Sequence, residues 1–193
     1  MIEVILQLSV LVIIVIIFHI MEYFISRMHH PDTTSSGSLL VTIPFLFAFS
    51  FGVAEFIIEF YLFGENKINL HNITLWTGLV LSIVGLAIRI LAELTAKQSF
   101  THHIAYKHEP QHKLITHGIY GVIRHPGYFG MFVFSVGTQI YLRNPVSTVV
   151  FASVLWKFFS DRIQDEETAL VSMFGAAYVE YRAKTRTWFP MID

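Results

Sequence analysis

The sequence has no cysteine. Disulfide staples, thiolate metal sites and a cysteine nucleophile are therefore excluded. Charge is scarce too: charged residues are 14% of the 193, against about 25% in soluble domains. The net charge of −1 offers no basic field for nucleic acid. No internal repeat and no low-complexity tract is present, and no GxGxxG or HExxH. What is abundant is apolar: 54% of the chain is hydrophobic, with 18 Phe and 8 Tyr. Scarce charge and many aromatics suit a bilayer solvent and its interfaces. The composition implies a one-domain integral membrane protein.

Residues 1–23 are apolar and long enough to span, since about 20 residues are needed. Without basic residues ahead of them or a small-residue cleavage site after, they read as a transmembrane helix rather than a signal peptide. Residues 26–38 form a polar linker. Residues 39–63, interrupted by Pro44, Glu55 and Glu59, are a second span, and residues 64–72 a short loop. Residues 73–96 are a third span carrying Arg89 and Glu93. Residues 127–142 and 145–159 are shorter apolar runs, predicted to form a helical hairpin. Residues 160–193 are polar and helical in pattern, with Gly175 as a stop. The expectation is an all-α, polytopic protein of about five transmembrane helices, divided into spans at 1–96 and a polar-rich region at 97–193.

Lysine and arginine set the orientation. Five alternating spans place Lys97, Lys107, Lys113 and Arg124 on one face with Arg27 and the cations of the tail, leaving Lys67 and Arg143 opposite. The richer face is expected to be cytoplasmic. Asn72-Ile73-Thr74 is a glycosylation sequon on the far side, abutting a span.

One stretch, 112–130, crowds polar, titratable and turn-forming residues between hydrophobic blocks. Pro126 disfavours a helical His125, so the chain is expected to break there. Pro126 can then open the next helix at no hydrogen-bond cost. The region 97–125 holds six of the ten histidines. A metal reading of His102, His103, His108, His112 and His117 fails, because Pro110 keeps His108 and His112 off one helical face; no metal is expected.

Downstream, Leu155, Phe159, Ile163, Leu170 and Phe174 form an apolar stripe at helical spacing. Arg162 and Glu166, four apart, fall on or beside it, where charge is costly unless paired or functional. Asp161, Asp165 and Glu167 spread around the same turn. Taken alone, this is also what a salt bridge on a solvated acidic face looks like, and His125 could simply cap a helix.

The pattern His112-x-Leu114-Ile115-x-x-Gly118-x-Tyr120-x-x-x-Arg124-His125-Pro126-x-Tyr128-x-Gly130 resembles the cofactor motif of the isoprenylcysteine carboxyl methyltransferases. Arg162-Ile163-x-x-Glu166-Glu167-x-x-Leu170-x-x-x-Phe174-Gly175-x-x-Tyr178-x-x-Tyr181 is similar to their tail motif. The resemblance implies methyl transfer from S-adenosylmethionine to the carboxylate of a C-terminal prenylated cysteine, with residues 97–193 as the catalytic half facing the cytosol. It implies a cofactor pocket of His112, Lys113, Leu114, Ile115, Tyr120, His125, Pro126, Gly127, Tyr128 and Glu166. Arg124 and Arg162 would be catalytic, Arg162 also binding substrate. Partners would be prenylated protein C-termini and membrane lipid. The membrane would be the endoplasmic reticulum in a eukaryote and the cell membrane otherwise.

The chemistry is compatible with these residues. A carboxylate is already a nucleophile at neutral pH, so positioning can replace a general base. Arginine can bind it bidentately. Two enzymatic alternatives remain: methylation of a phospholipid amine, and sterol reduction. A non-enzymatic alternative is a transporter or lipid scaffold, in which Glu22, Glu55, Glu59, Arg89 and Glu93 would line a pathway.

Overall fold

A computed structural model describes residues 2–68, 71–102, 104 and 113–192. His112 of the expected cofactor pocket, with His103, Lys107, His108 and Pro110, lies outside the described residues. Within them the chain is helical: α1 Ile2–His29, α2 Ile43–Phe63, α3 Ile73–Ala96, α4 Pro126–Leu142, α5 Pro145–Phe174 and α6 Ala176–Lys184. The described residues contain no strand; one parallel bridge joins Ile123 and Arg186.

Boundaries follow local chemistry. α1 runs beyond the apolar stretch through Arg27 and stops before Pro31, which disfavours helix at His30. α2 begins later than the apolar run, after a 3-10 turn at Ser36–Leu39. Thr42 caps it by accepting the Phe45 N–H, and Pro44 sits in its first turn rather than interrupting a span. The sequon residue Asn72 caps α3, its side-chain oxygen 2.8 Å from the Thr74 nitrogen. α5 has no break at residue 159, and its 30 residues carry the apolar run directly into the tail motif. Gly175, at φ 56°, ends it.

Among the described residues, three segments are long and apolar enough to cross a membrane: Ile2–His29, Ser36–Phe63 and Ile73–Ser99. α3 and α4 pack antiparallel with almost no space between backbones. A Cβ on Gly78 would lie 2.0 Å from the Tyr141 nitrogen, and one on Gly85 2.3 Å from that of Phe134. Small residues permit such approach where hydrophobicity cannot drive helices together.

The carboxylates proposed for a transport pathway are structural ties. Both oxygens of Glu55 accept backbone N–H groups at the start of α5, from Val146 at 2.8 Å and Ser147 at 2.6 Å. Glu59 pairs with Lys67. Lys67 also donates to the Arg143 carbonyl at 2.8 Å, and Arg143 returns bonds to the carbonyls of Lys67 and Asn66. The two cations expected on the far face therefore meet at the α4–α5 turn. At the other end of α3, Arg89 is forked onto Glu22 of α1 at 2.7 and 3.0 Å, and lies 2.8 Å from Glu93. Its Nη1 donates to the Gly127 carbonyl at 3.3 Å. This buried ion cluster fixes α1, α3 and the start of α4 together just beneath the polar strip.

Candidate active site

The chain breaks where Pro126 requires. His125 is the N-cap of α4, but its side chain makes no capping bond. It points instead toward α5. Its Nε2 is 2.8 Å from Glu167 Oε1, and its Nδ1 is 3.6 Å from Glu166 Oε2, an ion-pair rather than hydrogen-bond distance. Burial opposes charge on His125, but Glu166 and Glu167 outweigh it and hold the imidazole pKa above its usual value.

Arg124 is buried beside it. Nε donates to Glu167 Oε1 at 2.6 Å, and Nη1 to the carbonyls of Thr185 and Arg182 at 2.6 and 3.1 Å. The buried Nη2 has no hydrogen-bond partner. Three of its N–H groups are thus satisfied by protein, while Nη2 is buried and unpartnered in a residue that lines a cavity.

That cavity has a volume of about 110 Å³. It lies between the end of α3, the polar strip, the start of α4, the lower part of α5 and α6. Its walls include Lys113, Leu114, Ile115, Tyr120, Arg124, His125, Pro126, Gly127, Tyr128 and Glu166. Every described residue expected in the cofactor pocket therefore reaches it. Burial, with Glu166 nearby, pushes the Tyr120 hydroxyl well above its usual pKa, so it stays protonated. Glu166 Oε2 is buried without a hydrogen-bond partner. Burial works against its charge, yet His125 outweighs that and keeps Glu166 ionised.

Arg162 is placed differently. It does not line the cavity: Nε donates to the Tyr128 hydroxyl at 2.8 Å and Nη2 to the His102 carbonyl at 2.5 Å. Its guanidinium also lies over the Tyr128 ring. The ring of Tyr128 stacks between those of His125 and Phe159, so Arg162 acts on the cavity through Tyr128.

Sequence reasoning passed over Glu167, which looked like part of a solvated acidic turn. It is 5% exposed and joins Arg124, His125, the Tyr178 hydroxyl (2.9 Å) and Arg182 Nε (3.2 Å). Burial raises its pKa, but His125, Tyr178 and Arg124 outweigh this and pull it down to about 2. The available signal was register: Glu167 is four residues after Ile163, on the apolar stripe itself. Phe100, Leu170, Phe174, Tyr178 and Tyr181 also line the cavity without having been assigned to it.

A model of the isoprenylcysteine carboxyl methyltransferase (ICMT) family matches residues 77–172. A probable protein-S-isoprenylcysteine O-methyltransferase of Oryza sativa subsp. indica is 45% identical over 179 residues, covering 92% of this chain and 93% of the relative. The protein-S-isoprenylcysteine O-methyltransferase of Saccharomyces cerevisiae is 40% identical over 182 residues, covering 91% and 76% respectively. Among solved structures, that of the eukaryotic intramembrane Ras methyltransferase ICMT superposes with a TM-score of 0.85 at 34% identity. The alignment covers 91% of this chain and 63% of that one.

Proposed function

Because this chain belongs to the isoprenylcysteine carboxyl methyltransferase family, we propose that it methylates the C-terminal carboxylate of prenylated cysteine proteins, using S-adenosylmethionine. The observation that carries this reading is the unpartnered, buried Nη2 of Arg124, in a residue that lines the same cavity as Glu166. A cation for an anionic nucleophile and an anion for an aminoacyl ammonium stand on one site. An amine, which is an ammonium ion until a base deprotonates it, would instead be repelled by Arg124.

The residues present fit the cofactor. Glu166, with its unpartnered buried oxygen, would take the ammonium group, and Tyr120, Leu114, Ile115 and the Pro126–Gly127 turn would enclose the remainder. When bound, S-adenosylmethionine supplies an electrophilic methyl group on a sulfonium sulfur. Arg124 holds the substrate carboxylate by charge and hydrogen bond, with its other N–H groups already spent on Glu167 and two carbonyls. The carboxylate arrives ionised, so no side chain must remove a proton. Phe100, Leu114 and Phe174 keep water from the reacting groups. Arg162 holds Tyr128 against His125 and so shapes the same wall.

In the membrane, the proposal has α4 and the first half of α5 crossing with α1, α2 and α3, which makes five spans. Support comes from the gathering of Lys67 and Arg143 at one end and of Arg124, Arg162 and Arg182 at the other. The positive-inside rule then puts the site on the cytosolic side, in the endoplasmic reticulum of a eukaryote or the cell membrane of a prokaryote. A prenyl chain contributes about 0.8 kcal/mol per buried CH₂, so such substrates already reside in the bilayer beside the enzyme.

The test is Arg124→Lys, with methyl transfer and cofactor affinity measured separately. The reading requires a raised KM for a prenylated cysteine acid with little change in the Kd for S-adenosylmethionine. Unchanged substrate KM would refute the assignment of Arg124.

A further inference from the structure

We infer that the segment following α6, residues 185–192, is the positioning element that aims Arg124 at the substrate. The inference rests on the reading of Arg124 above. The Arg124 backbone N–H donates to the Arg186 carbonyl at 2.8 Å, within the single parallel bridge between Ile123 and Arg186. Its Nη1 donates to the Thr185 carbonyl at 2.6 Å. Main chain and side chain of one residue are thus both fastened to two consecutive carbonyls of this segment. With Nε on Glu167, the rotation of the guanidinium plane is set, and Nη2 is the corner left without a partner.

The segment is in turn seated in the protein rather than lying on it. Thr187 is fully buried, and its hydroxyl bonds the Ile192 carbonyl while accepting the Phe189 N–H at 3.2 Å. This closes a tight turn. Phe189 and Ile192 are buried and pack with Phe159 and Ile163, on the same stripe of α5 that carries Glu167. Trp156 Nε1 donates to the Pro190 carbonyl at 2.9 Å. α5 therefore anchors both the carboxylate that takes Nε and the segment whose carbonyl takes Nη1. The Arg124 side chain bonds to Glu167, Arg182 and Thr185, so Phe189 and Trp156 act on it through residues 185–192, as positioning residues.

The consequence is a specific kinetic pattern. Loosening residues 185–192 frees the direction of the guanidinium but leaves Glu166, Tyr120 and the Pro126–Gly127 turn in place. Substrate binding should suffer while cofactor binding does not. The experiment uses the full-length protein in detergent or vesicles, with Phe189→Ala and Trp156→Phe, each alone and combined with Arg124→Lys. Phe189→Ala should raise KM for a minimal prenylated cysteine acid by about tenfold, the scale of one charge-assisted hydrogen bond. The Kd for S-adenosylmethionine should move less than about twofold, and the effect on KM should nearly vanish on the Arg124→Lys background, since residues acting through one group are non-additive. Trp156→Phe, which removes the Pro190 bond and keeps an aromatic ring against Phe159 and Phe189, should give the same pattern more weakly and serves if Phe189→Ala fails to fold. Additive effects with Arg124→Lys, or parallel loss of cofactor affinity and substrate use, would overturn the positioning role. If Arg124→Lys alone leaves substrate KM unchanged, the assignment of Arg124 itself is what fails.

Discussion

Glu167 Oε1 lies 2.6 Å from Arg124 Nε, and 2.8 Å from Nε2 of the adjacent His125. One carboxylate oxygen on α5 thus orders two consecutive residues at the break before α4. The Tyr178 hydroxyl joins the same oxygen from α6, and Arg182 approaches the other. Such a network orients its members because a buried charge without its partner is costly. It makes Glu167 the organiser of the site, although the cavity itself is met by its neighbour Glu166.

Substitutions at these two glutamates should therefore separate. Glu167→Gln leaves the Arg124 and His125 charges poorly compensated and should destabilise the protein by about 3–5 kcal/mol, the scale for breaking a buried pair. Its unfolding midpoint in detergent should fall with or without cofactor. Glu166→Gln, which loses only the looser 3.6 Å ion pair with His125, should lower the midpoint less and weaken cofactor binding. Equal midpoints for the two variants would reject the division of roles.

The pH dependence follows from the same network, in which Arg124, Tyr128, Tyr178, Glu166 and Glu167 surround His125. The folded-state pKa of His125 lies above 6.5, so its contribution to stability is complete below that value and is lost as pH rises through the folded pKa. Glu167 has the opposite sign: depressed from 4.5 to about 2, it contributes above 4.5 and loses that contribution as pH falls toward 2. The midpoint advantage of the native protein over His125→Gln should therefore shrink over the interval in which pH rises from 6.5 through the raised folded-state pKa. An advantage that grows over that interval would contradict the charged assignment of His125.

The α3–α4 contact predicts a steric effect remote from the chemistry. Gly85→Ala puts a methyl group where the Phe134 backbone nitrogen is only 2.3 Å away. The helices must part, at a cost of about 1–3 kcal/mol for overpacking. Gly37→Ala, whose new Cβ meets only the Ser35 hydroxyl at 3.4 Å, is the control. A thermal unfolding series should show a clear loss for the first and little for the second; indistinguishable midpoints would count against backbone-close packing.

Several features were readable from the chain alone. The apolar run at residues 73–96 coincides with helix α3, and Pro126 marked the start of α4 because its ring leaves its neighbour few conformations. The ion cluster was not readable: Arg89 finds Glu22 67 positions away, and nothing local to either names the other. Glu167 was obscured by Asp161, Asp165 and Glu166, whose presence made a solvated turn the simpler picture. Arg162 was legible as important but not in its direction, since its partners, Tyr128 and the His102 carbonyl, are 34 and 60 residues distant. The role of residues 185–192 rests on backbone carbonyls, which carry no side-chain signature.

The central claim is that a carboxylate on a prenyl chain is what this site reads. The most direct measurement compares methyl transfer from S-adenosylmethionine to a minimal prenylated cysteine acid, to its counterpart without the lipid, and to a full prenylated protein. At about 0.8 kcal/mol per buried CH₂, the lipid should dominate binding. The account predicts turnover of the minimal lipidated acid and of the full protein, and none without the lipid. Methylation of the unlipidated acid at a similar rate, or an inert minimal acid beside a well-used full protein, would contradict it.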